Sequence, residues 1–211
     1  MQYQLQQTKL EDLYTAFLLG GAKKSSIYNR YTVEVQEERL TILNYYLDRF
    51  NLHNSFLFIA HKEIEPGILT IEFETTLSLK RIYKEWCHDD MVIAISPMNL
   101  NLNAYLLWVS IFAEKRKNFI RLSNEHISHD AKLTLASLFK ESTGIEMSTN
   151  SIQFAIHDGK ALTLLAIHMK RPAYEIRLLT EFLSDREFKK LQVALNTTRF
   201  SFRRGLYHEC Y

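Results

Sequence analysis

The sequence is poor in glycine, proline and cysteine. Only 6 Gly and 3 Pro occur in 211 residues, which leaves little material for flexible linkers and excludes a disordered or collagen-like chain. The two cysteines, Cys87 and Cys210, lie too far apart for a zinc or redox motif, as is typical of proteins from a reducing compartment. No run of about 18 apolar residues occurs, and the N-terminal residues lack the pattern of a signal peptide. We therefore expect a cytoplasmic protein without a membrane span.

The chain does have enough apolar side chains for a sizeable core, with 46% hydrophobic and 12% aromatic residues. Its formal net charge of +2 is too small to indicate a nucleic-acid partner. The charge is unevenly distributed, however. Residues 1–105 contain 10 Lys or Arg and 13 Asp or Glu, whereas residues 106–211 contain 16 and 11. The second half is therefore the half that we expect to face a polyanion.

Hydrophobic periodicity predicts alternating helices and strands in the first half. Thr8 and Glu11 form a capping-box pattern that predicts the start of the first helix at residue 8. The turn pair Pro66-Gly67 predicts a hairpin between two strands. The complete set is a helix over 8–20, a strand or hairpin over 26–35, a helix over 36–50, strands over 56–61 and 68–74, and a helix over 77–87.

The second half repeats this order of elements. Asp158-Gly159 predicts a hairpin between its last two strands, and Pro172 predicts the start of a further helix that continues to Leu183. Corresponding elements lie roughly 90–95 residues apart, which indicates one duplication with a core shared between the halves. The predicted elements are a helix over 100–113, a strand over 119–123, a helix over 129–143 that ends at Gly144, and strands over 152–156 and 162–168.

Over residues 8–184 this order resembles the LAGLIDADG homing endonucleases. The resemblance is strongest at 95–100 (ISPMNL), 105–108 (YLLW), 119–124 (FIRLSN), 135–139 (LASLF) and Gly144-Ile145. It implies an α+β fold of two αββαββα halves with antiparallel sheets, packed through the first helix of each half. The implied parts are an N-terminal half at 1–95, a C-terminal half at 96–184, and a C-terminal helix with a basic and aromatic tail at 185–211.

The two motif helices of that family each end in an acidic residue, and the paired carboxylates hold the metal ions that support phosphodiester hydrolysis. Here 14–21 (YTAFLLGG) stands in place of the first motif and 105–113 (YLLWVSIFA) in place of the second. The positions that match the acids are Gly21 and Phe112, and neither side chain can bind a metal ion. The resemblance therefore implies a catalytically inactive protein with no catalytic residue, metal or other cofactor.

Basic residues follow both motif helices, namely Lys23 and Lys24 in the first half and Lys115, Arg116 and Lys117 in the second. In the family arrangement these helix ends lie beneath the phosphates of the nucleic acid. One interpretation is therefore that the cations bind phosphate. The alternative is that they only compensate the helix dipoles, a contribution of about 0.3–1 kcal/mol each.

Strand alternation divides the predicted sheets into an inward apolar set and an outward polar set. The inward set is Val33, Val35, Ile71, Phe73, Ile120, Leu122, Ile152, Phe154 and Ile156. The outward set of the second half suits a major groove, and consists of Arg121, Ser123, Gln153 and His157. The outward set of the first half is Thr32, Glu34, Glu72 and Glu74, whose glutamates would repel phosphates.

The tail at 199–204 (RFSFRR) alternates cations with aromatics, as in proteins that bind single-stranded nucleic acid, although such tails also pack on their own domain. The leading hypothesis is a catalytically inactive protein that binds nucleic acid, expected to be duplex DNA. The second is a protein-interaction module that docks partners on the acidic first-half face. The third, ranked lowest, is a nuclease with substituted ligands such as Glu114, and it needs a second carboxylate near Gly21.

Overall fold

The computed structural model describes residues 2–27, 30–53, 58–74, 76–171 and 173–196, together with two short strands near the C-terminus. The tail predicted to alternate cations with aromatics lies outside the described residues, apart from the backbone of one of these strands. The elements of the first half are α1 (Gln2–Leu19), β1 (Lys23–Lys24), β2 (Arg30–Gln36), α2 (Leu40–Phe50), β3 (Phe58–Glu65), β4 (Ile68–Glu74) and α3 (Leu77–Trp86).

A short hairpin of β5 (Cys87–His88) and β6 (Met91–Val92) leads into the second half. Its elements are α4 (Leu102–Phe112), β7 (Glu114–Lys115), β8 (Ile120–Ser123), α5 (His129–Thr143), β9 (Met147–Thr149), β10 (Gln153–Ile156) and α6 (Gly159–His168). Two helices follow, α7 (Ala173–Glu181) and α8 (Asp185–Asn196), and then an antiparallel pair of short strands, β11 (Phe202–Arg203) and β12 (Leu206–Tyr207).

Each half contains one antiparallel sheet of four strands, and both sheets have the same strand order. The first runs β1-β2-β4-β3 and the second β7-β8-β10-β9. The order of elements within each half is αββαββα, as predicted. The inward strand residues are buried as expected, with the exception of Ile152, which is 48% exposed.

The two halves pack through α1 and α4, the first helix of each. Residues 104–111 of α4 are all buried, because a helix that is apolar on every side fits only inside a core. Polar contacts join the second half of α1 to the residues just before α4. Asn101 donates to the buried carboxylate of Asp12, and the Thr15 hydroxyl donates to the Asn99 carbonyl.

The predicted start of α1 at Thr8 is wrong, because the helix begins at Gln2. Thr8 lies inside it, and its hydroxyl donates to the Gln4 carbonyl one turn earlier rather than capping the helix. The preceding glutamines are good helix formers, so the helix extends through them.

The predicted hairpin at Asp158-Gly159 is also wrong. Asp158 is the N-cap of α6, and its carboxylate accepts a hydrogen bond of 2.8 Å from the Ala161 amide. The hairpin of this half is instead formed by β9 and β10, across a turn in which the Asn150 side chain accepts from the amides of Ile152 and Gln153. Ile152 lies in that turn, which explains its exposure. The helix α7 ends at Glu181 rather than at Leu183, and Pro172 lies outside the described residues.

The β5–β6 hairpin turns through two residues in the left-handed region, Asp89 (φ 47°) and Asp90 (φ 61°), a conformation that glycine adopts at lower cost. Asp90 has compensating contacts, because its carboxylate accepts from the Lys24 amide at 2.9 Å and from the Tyr83 hydroxyl. The side chain of Asp89 is 93% exposed and lies 3.3 Å from the imidazole of His88.

We therefore predict opposite effects for the same substitution at neighbouring positions. Asp89→Gly should raise the free energy of unfolding by about 0.5–1 kcal/mol through relief of backbone strain. Asp90→Gly should lower it by about 1–2 kcal/mol, because two hydrogen bonds to a carboxylate are lost. Urea unfolding of both variants measures the two values, and a loss of stability in Asp89→Gly would contradict the argument.

Within the described residues, no helix combines the length and the apolar character needed to cross a bilayer.

Candidate nucleic-acid interface

A groove of about 690 Å³ lies where the C-terminal ends of α1 and α4 meet the two sheets. We call it the central groove. Gly21 and Phe112, the positions that the sequence resemblance matches to the family acids, both line it. Its charged and titratable lining residues are Lys23, Glu34, Asp89, Asp90, Glu114, Glu125 and His126.

Gly21 and Phe112 occupy equivalent places, since each lies two residues before the first strand of its half. Gly21 has φ +93°, and a Cβ atom added there would lie 3.3 Å from Nδ1 of His126. The ring of Phe112 packs against Gly20 and meets the ring of Phe17 edge to face, with centroids 6.0 Å apart. The two positions therefore have packing roles, and neither side chain offers an oxygen ligand. Among the described residues, no three His, Cys, Asp or Glu side chains are grouped so as to hold a metal ion.

His126 is a groove residue that sequence reasoning missed. Its Nε2 atom lies 2.9 Å from the Leu19 carbonyl at the end of α1, a contact across 107 residues that no local pattern could indicate. Burial lowers the pKa of His126 below its ordinary value of 6.5. The ring is therefore neutral at pH 7, and Nε2 donates its proton to the helix terminus.

The lowered pKa of His126 predicts acid sensitivity. The unfolded chain takes up the proton at a higher pH than the folded chain does, so stability falls as the pH drops below the ordinary value of 6.5. We expect His126→Gln to lose less stability between pH 7.5 and pH 5.5 than the wild-type protein loses. Urea unfolding of both proteins at the two pH values measures this difference, and equal losses would contradict the assignment.

The two first-half lysines face opposite sides of their sheet. Lys23 pairs with Thr32 in the β1–β2 register, and its exposed side chain lines the central groove. Lys24 pairs with Tyr31, and its ammonium group lies 4.7 Å from the centroid of the Tyr83 ring. Of these two lysines, Lys23 lines the central groove and Lys24 does not.

The three second-half cations also differ. The Lys115 ammonium group donates to the carbonyls of Glu181 and, at 3.2 Å, of Leu183, where α7 ends. This is the contact expected for compensation of a helix dipole. Arg116 and Lys117 are exposed in the loop between β7 and β8, with an Arg116 nitrogen 2.6 Å from the Glu114 carboxylate.

In the sequence, Lys23 and Lys24 correspond to the basic run 115–117, but the structure gives a different correspondence between the two halves. Lys23 and Glu114 each begin the strand that follows the motif helix, so the structure aligns Lys23 with an acid and Lys24 with Lys115. Both residues of the second pair face the helices rather than the open side of the sheet.

The exposed side of the second sheet carries three of the predicted residues together. We call it the second outer face. Gln153 lies directly opposite Ser123 in the β8–β10 register, and Arg121 follows on the same side, 3.3 Å from Glu114. Glu114 is the only acidic residue in β7, β8, β9 and β10, and two arginines contact it. The predicted residue His157 lies just after β10, exposed, with its ring 5.7 Å from the ring of Phe119.

The exposed side of the first sheet, the first outer face, is mixed in charge. Arg30 lies 3.7 Å from Glu72 and 3.4 Å from Glu74, so one cation offsets part of the charge of two glutamates. Glu34 is exposed and lines the central groove. The strand neighbours between these acids are the polar residues Thr32 and Thr70.

Sequence reasoning also missed several carboxylates that line the central groove together with Gly21. In the sequence, the acidic residues within ten positions of Gly21 are Glu11 and Asp12, which lie about two turns or more before the end of α1. The structure instead brings Asp89 and Asp90 from the β5–β6 turn and Glu125 from the segment after β8. Their approach depends on the packing of one half against the other, which no local spacing reveals.

No protein-family model and no curated protein sequence matches the chain. Solved structures do resemble it. The homing endonuclease I-WcaI bound to its DNA recognition sequence has a TM-score of 0.55 at 9% identity, over 87% of this chain and 86% of that one. Full-length DUF199/WhiA from Thermatoga maritima has a TM-score of 0.51 at 10% identity, over 90% of this chain and 67% of that one. The N-terminal LAGLIDADG domain of DUF199/WhiA has a TM-score of 0.47 at 8% identity, over 86% of this chain and 87% of that one.

The first two similarities extend over most of the chain with TM-scores above 0.5. Together with the element order and the antiparallel sheets, they show that the chain has a LAGLIDADG-like fold, as the sequence resemblance implied. At identities of 9% and 10% they show the fold alone.

Proposed function

We propose that this protein binds duplex nucleic acid, and specifically DNA, through the second half of the fold and does not cleave it. The observation that carries the proposal is the second outer face, where Arg121, Ser123 and Gln153 lie together and the single acid of the four strands is offset by two arginines. The fold supports it by analogy, since I-WcaI was solved with its DNA recognition sequence bound.

The three side chains of this face suit the edges of bases. Arg donates two hydrogen bonds to guanine, Gln pairs with adenine in the major groove, and Ser bonds to either. Because Gln153 and Ser123 are cross-strand partners, their side chains reach the same position on a ligand. We assign base contacts to these three residues and leave His157, which lies beyond the end of β10, as a peripheral contact.

Phosphate contacts are assigned to Arg116 and Lys117, whose exposed loop borders the same sheet, and to Lys23 in the central groove. Lys24 and Lys115 are not assigned such contacts, because their single ammonium groups already lie on a tyrosine ring and on carbonyls. The Arg116 guanidinium also contacts Glu114, but it has five N–H donors and retains some for a phosphate. The acids of the central groove disfavour phosphates there. The second outer face therefore contributes most of the binding surface.

We propose that the protein does not cleave its ligand, because Gly21 and Phe112, which the resemblance matches to the family acids, offer no oxygen ligand for a metal ion. The lower-ranked nuclease would use Glu114, yet two arginines already engage this carboxylate at 2.6 and 3.3 Å. Supercoiled DNA incubated with the protein and Mg²⁺ or Mn²⁺ tests this point. We expect no cleavage above the buffer control, and cleavage abolished by Glu114→Ala would contradict the inactive assignment.

Binding itself is tested by fluorescence anisotropy of a labelled duplex of mixed sequence at several salt concentrations. Phosphate contacts require the affinity to fall steeply as salt rises. Arg121→Gln should weaken binding and relax base preference at one position, at a cost of about 1–3 kcal/mol. Lys190→Gln, on the exposed side of α8, changes the charge by the same amount and should leave affinity unchanged. No binding at low salt would overturn the proposal.

A protein-interaction module is the second candidate, because exposed carboxylates such as Glu34 and Asp89 line the central groove. The first outer face gives this function less support than the sequence suggested. Protein-docking surfaces have an apolar centre, whereas the strand residues between Glu34, Glu72 and Glu74 are polar and Arg30 contacts two of the acids. The anisotropy titration separates the two functions, since this candidate requires no affinity for the duplex.

A further inference from the structure

A small basic cavity, separate from the central groove, lies at the N-terminal end of α4 and about halfway along α1. Its volume is about 140 Å³, and it is lined by parts of α1, α2, the start of α4 and the connection between α6 and α7. Lys9 is ten residues before Leu19 along α1, so at about 1.5 Å per residue the cavity lies roughly 15 Å from the groove. The proposed duplex contacts therefore do not use it.

Four cationic residues line this cavity, namely Lys9, Arg49, Lys170 and Arg171, and no acidic side chain is among its described lining residues. Two of them have carboxylate partners behind the wall. Lys9 lies 3.0 Å from the buried Asp12, and Arg171 lies 2.8 Å from the buried Glu175. Within the part of the chain that the structure describes, Arg49 and Lys170 have no carboxylate partner, although Arg49 donates to the Tyr45 hydroxyl at 3.3 Å. The cavity thus has an excess of positive charge.

Aromatic rings form the remainder of the wall. The Lys9 ammonium group lies 5.6 Å from the centroid of Phe50, and the Arg49 guanidinium group lies 5.7 Å from the same ring and 6.0 Å from that of Tyr45. The Tyr46 hydroxyl donates to the Lys9 carbonyl at 3.1 Å and holds α2 against α1. Arg171 also donates to Asn103 at 3.2 Å, so the rear of the cavity is fixed before a ligand enters.

The backbone at Lys170 gives an independent indication. Lys170 has φ +53°, in the left-handed region after α6, where glycine or asparagine is the usual residue. A lysine there costs stability, and strained conformations of this kind concentrate at binding sites. The strain is consistent with a role for the ammonium group that glycine could not fill.

From these observations we propose that the cavity binds the phosphate group of a small phosphorylated molecule. Arg49 and Lys170 would supply the free charge, while Lys9 and Arg171 would complete the donor set. A volume of about 140 Å³ accommodates a phosphate group but is too small for a complete phosphorylated molecule such as a nucleotide. The remainder of the ligand therefore lies over Tyr45, which is 37% exposed at the edge of the cavity.

The test measures thermal unfolding of the full chain at increasing inorganic phosphate, with ionic strength held constant by chloride. A ligand that binds only the folded chain raises the melting temperature in a saturable manner. We expect phosphate to do so and Arg49→Gln to weaken apparent affinity about tenfold, while Lys190→Gln, an equal change of charge on α8, leaves it unaltered. No saturable increase beyond that in chloride, or an unaltered response in Arg49→Gln, would overturn the proposal.

Lys170→Gly provides the sharper variant, because its two effects have opposite directions. It should raise the melting temperature without ligand by relieving the left-handed strain, and it should weaken phosphate affinity. A variant that is stabilised and still binds phosphate as tightly as wild type would show that Lys170 only terminates the helix. Titration with adenosine monophosphate identifies the source of the phosphate. Tighter binding than that of inorganic phosphate indicates an ester stacked on Tyr45, and equal binding indicates recognition of the phosphate group alone.

Discussion

Glu175→Ala should lower the free energy of unfolding by about 3–5 kcal/mol, because it leaves a buried arginine without its carboxylate. Glu175 is 1% exposed, and the Arg171 side chain that contacts it at 2.8 Å is 8% exposed. Its second oxygen accepts from the Ser110 hydroxyl of α4 at 3.0 Å, so the pair joins α7 to the central helix of the second half. The substitution therefore removes the carboxylate that accepts from both the Arg171 guanidinium and the Ser110 hydroxyl.

The same helix supplies the matched control. Glu181 pairs with Arg177 at 3.9 Å with the same i to i+4 spacing, but both side chains are about half exposed. Glu181→Gln should therefore change stability by less than about 0.5 kcal/mol. If Glu175→Ala does not fold, Glu175→Gln keeps the shape and should still be less stable than Glu181→Gln. Urea unfolding measures all three, and equal losses at positions 175 and 181 would contradict the importance of burial.

Gly20→Ala should lower the free energy of unfolding by about 1–3 kcal/mol, because the added methyl group overlaps a neighbouring ring. An ideal Cβ atom at Gly20 would lie 2.5 Å from two ring carbons of Phe112. Phe112 lies at the end of α4, so relief of the overlap requires the ring to leave its place or the two helices to separate. Because Gly20 has no side chain, the Phe112 ring can approach it closely and pack between the two halves.

A double-mutant cycle with Phe112→Ala assigns this cost to the ring. In the Phe112→Ala background the methyl group has space, so Gly20→Ala should be nearly neutral, with a coupling energy of about 1–3 kcal/mol. Gly144→Ala is the control, since it has φ +71° and nothing within 4 Å of its added Cβ. Its cost should be the same in both backgrounds. Equal costs of Gly20→Ala in both backgrounds would show that Phe112 is not the obstacle.

Hydrophobic periodicity in the sequence predicted most of the helices, and the family resemblance implied the αββαββα order of the elements. The prediction failed at Asp158-Gly159, where the pair that favours a hairpin turn also suits a helix N-cap, and the residues after it decide between them. The apolar run at 162–168 can lie in a buried helix or in a strand, so periodicity alone does not distinguish the two. The true hairpin turn depends on Asn150, which has no glycine neighbour to indicate it.

The candidate site was harder to predict than the fold, because side-chain direction depends on distant contacts. Strand alternation placed Arg121, Ser123 and Gln153 together, since their relation is local to one sheet. The run Lys115-Arg116-Lys117 looked uniform in the sequence. Only the packing of β7 against the end of α7 shows that Lys115 is directed away from its neighbours. The carboxylates and His126 of the central groove come from segments that no spacing connects.

The most direct test of the proposed function is the salt dependence of duplex affinity in two variants of that basic run. Arg116→Ala/Lys117→Ala should lower affinity uniformly across sequences and reduce the slope of log affinity against log salt by about one unit per lost contact. Lys115→Ala should leave the slope unchanged. It should lower the free energy of unfolding by about 0.3–1 kcal/mol, because the Lys115 ammonium group donates to the carbonyls at the end of α7. A wild-type slope in the double variant, or a reduced slope in Lys115→Ala alone, would contradict the proposed interface.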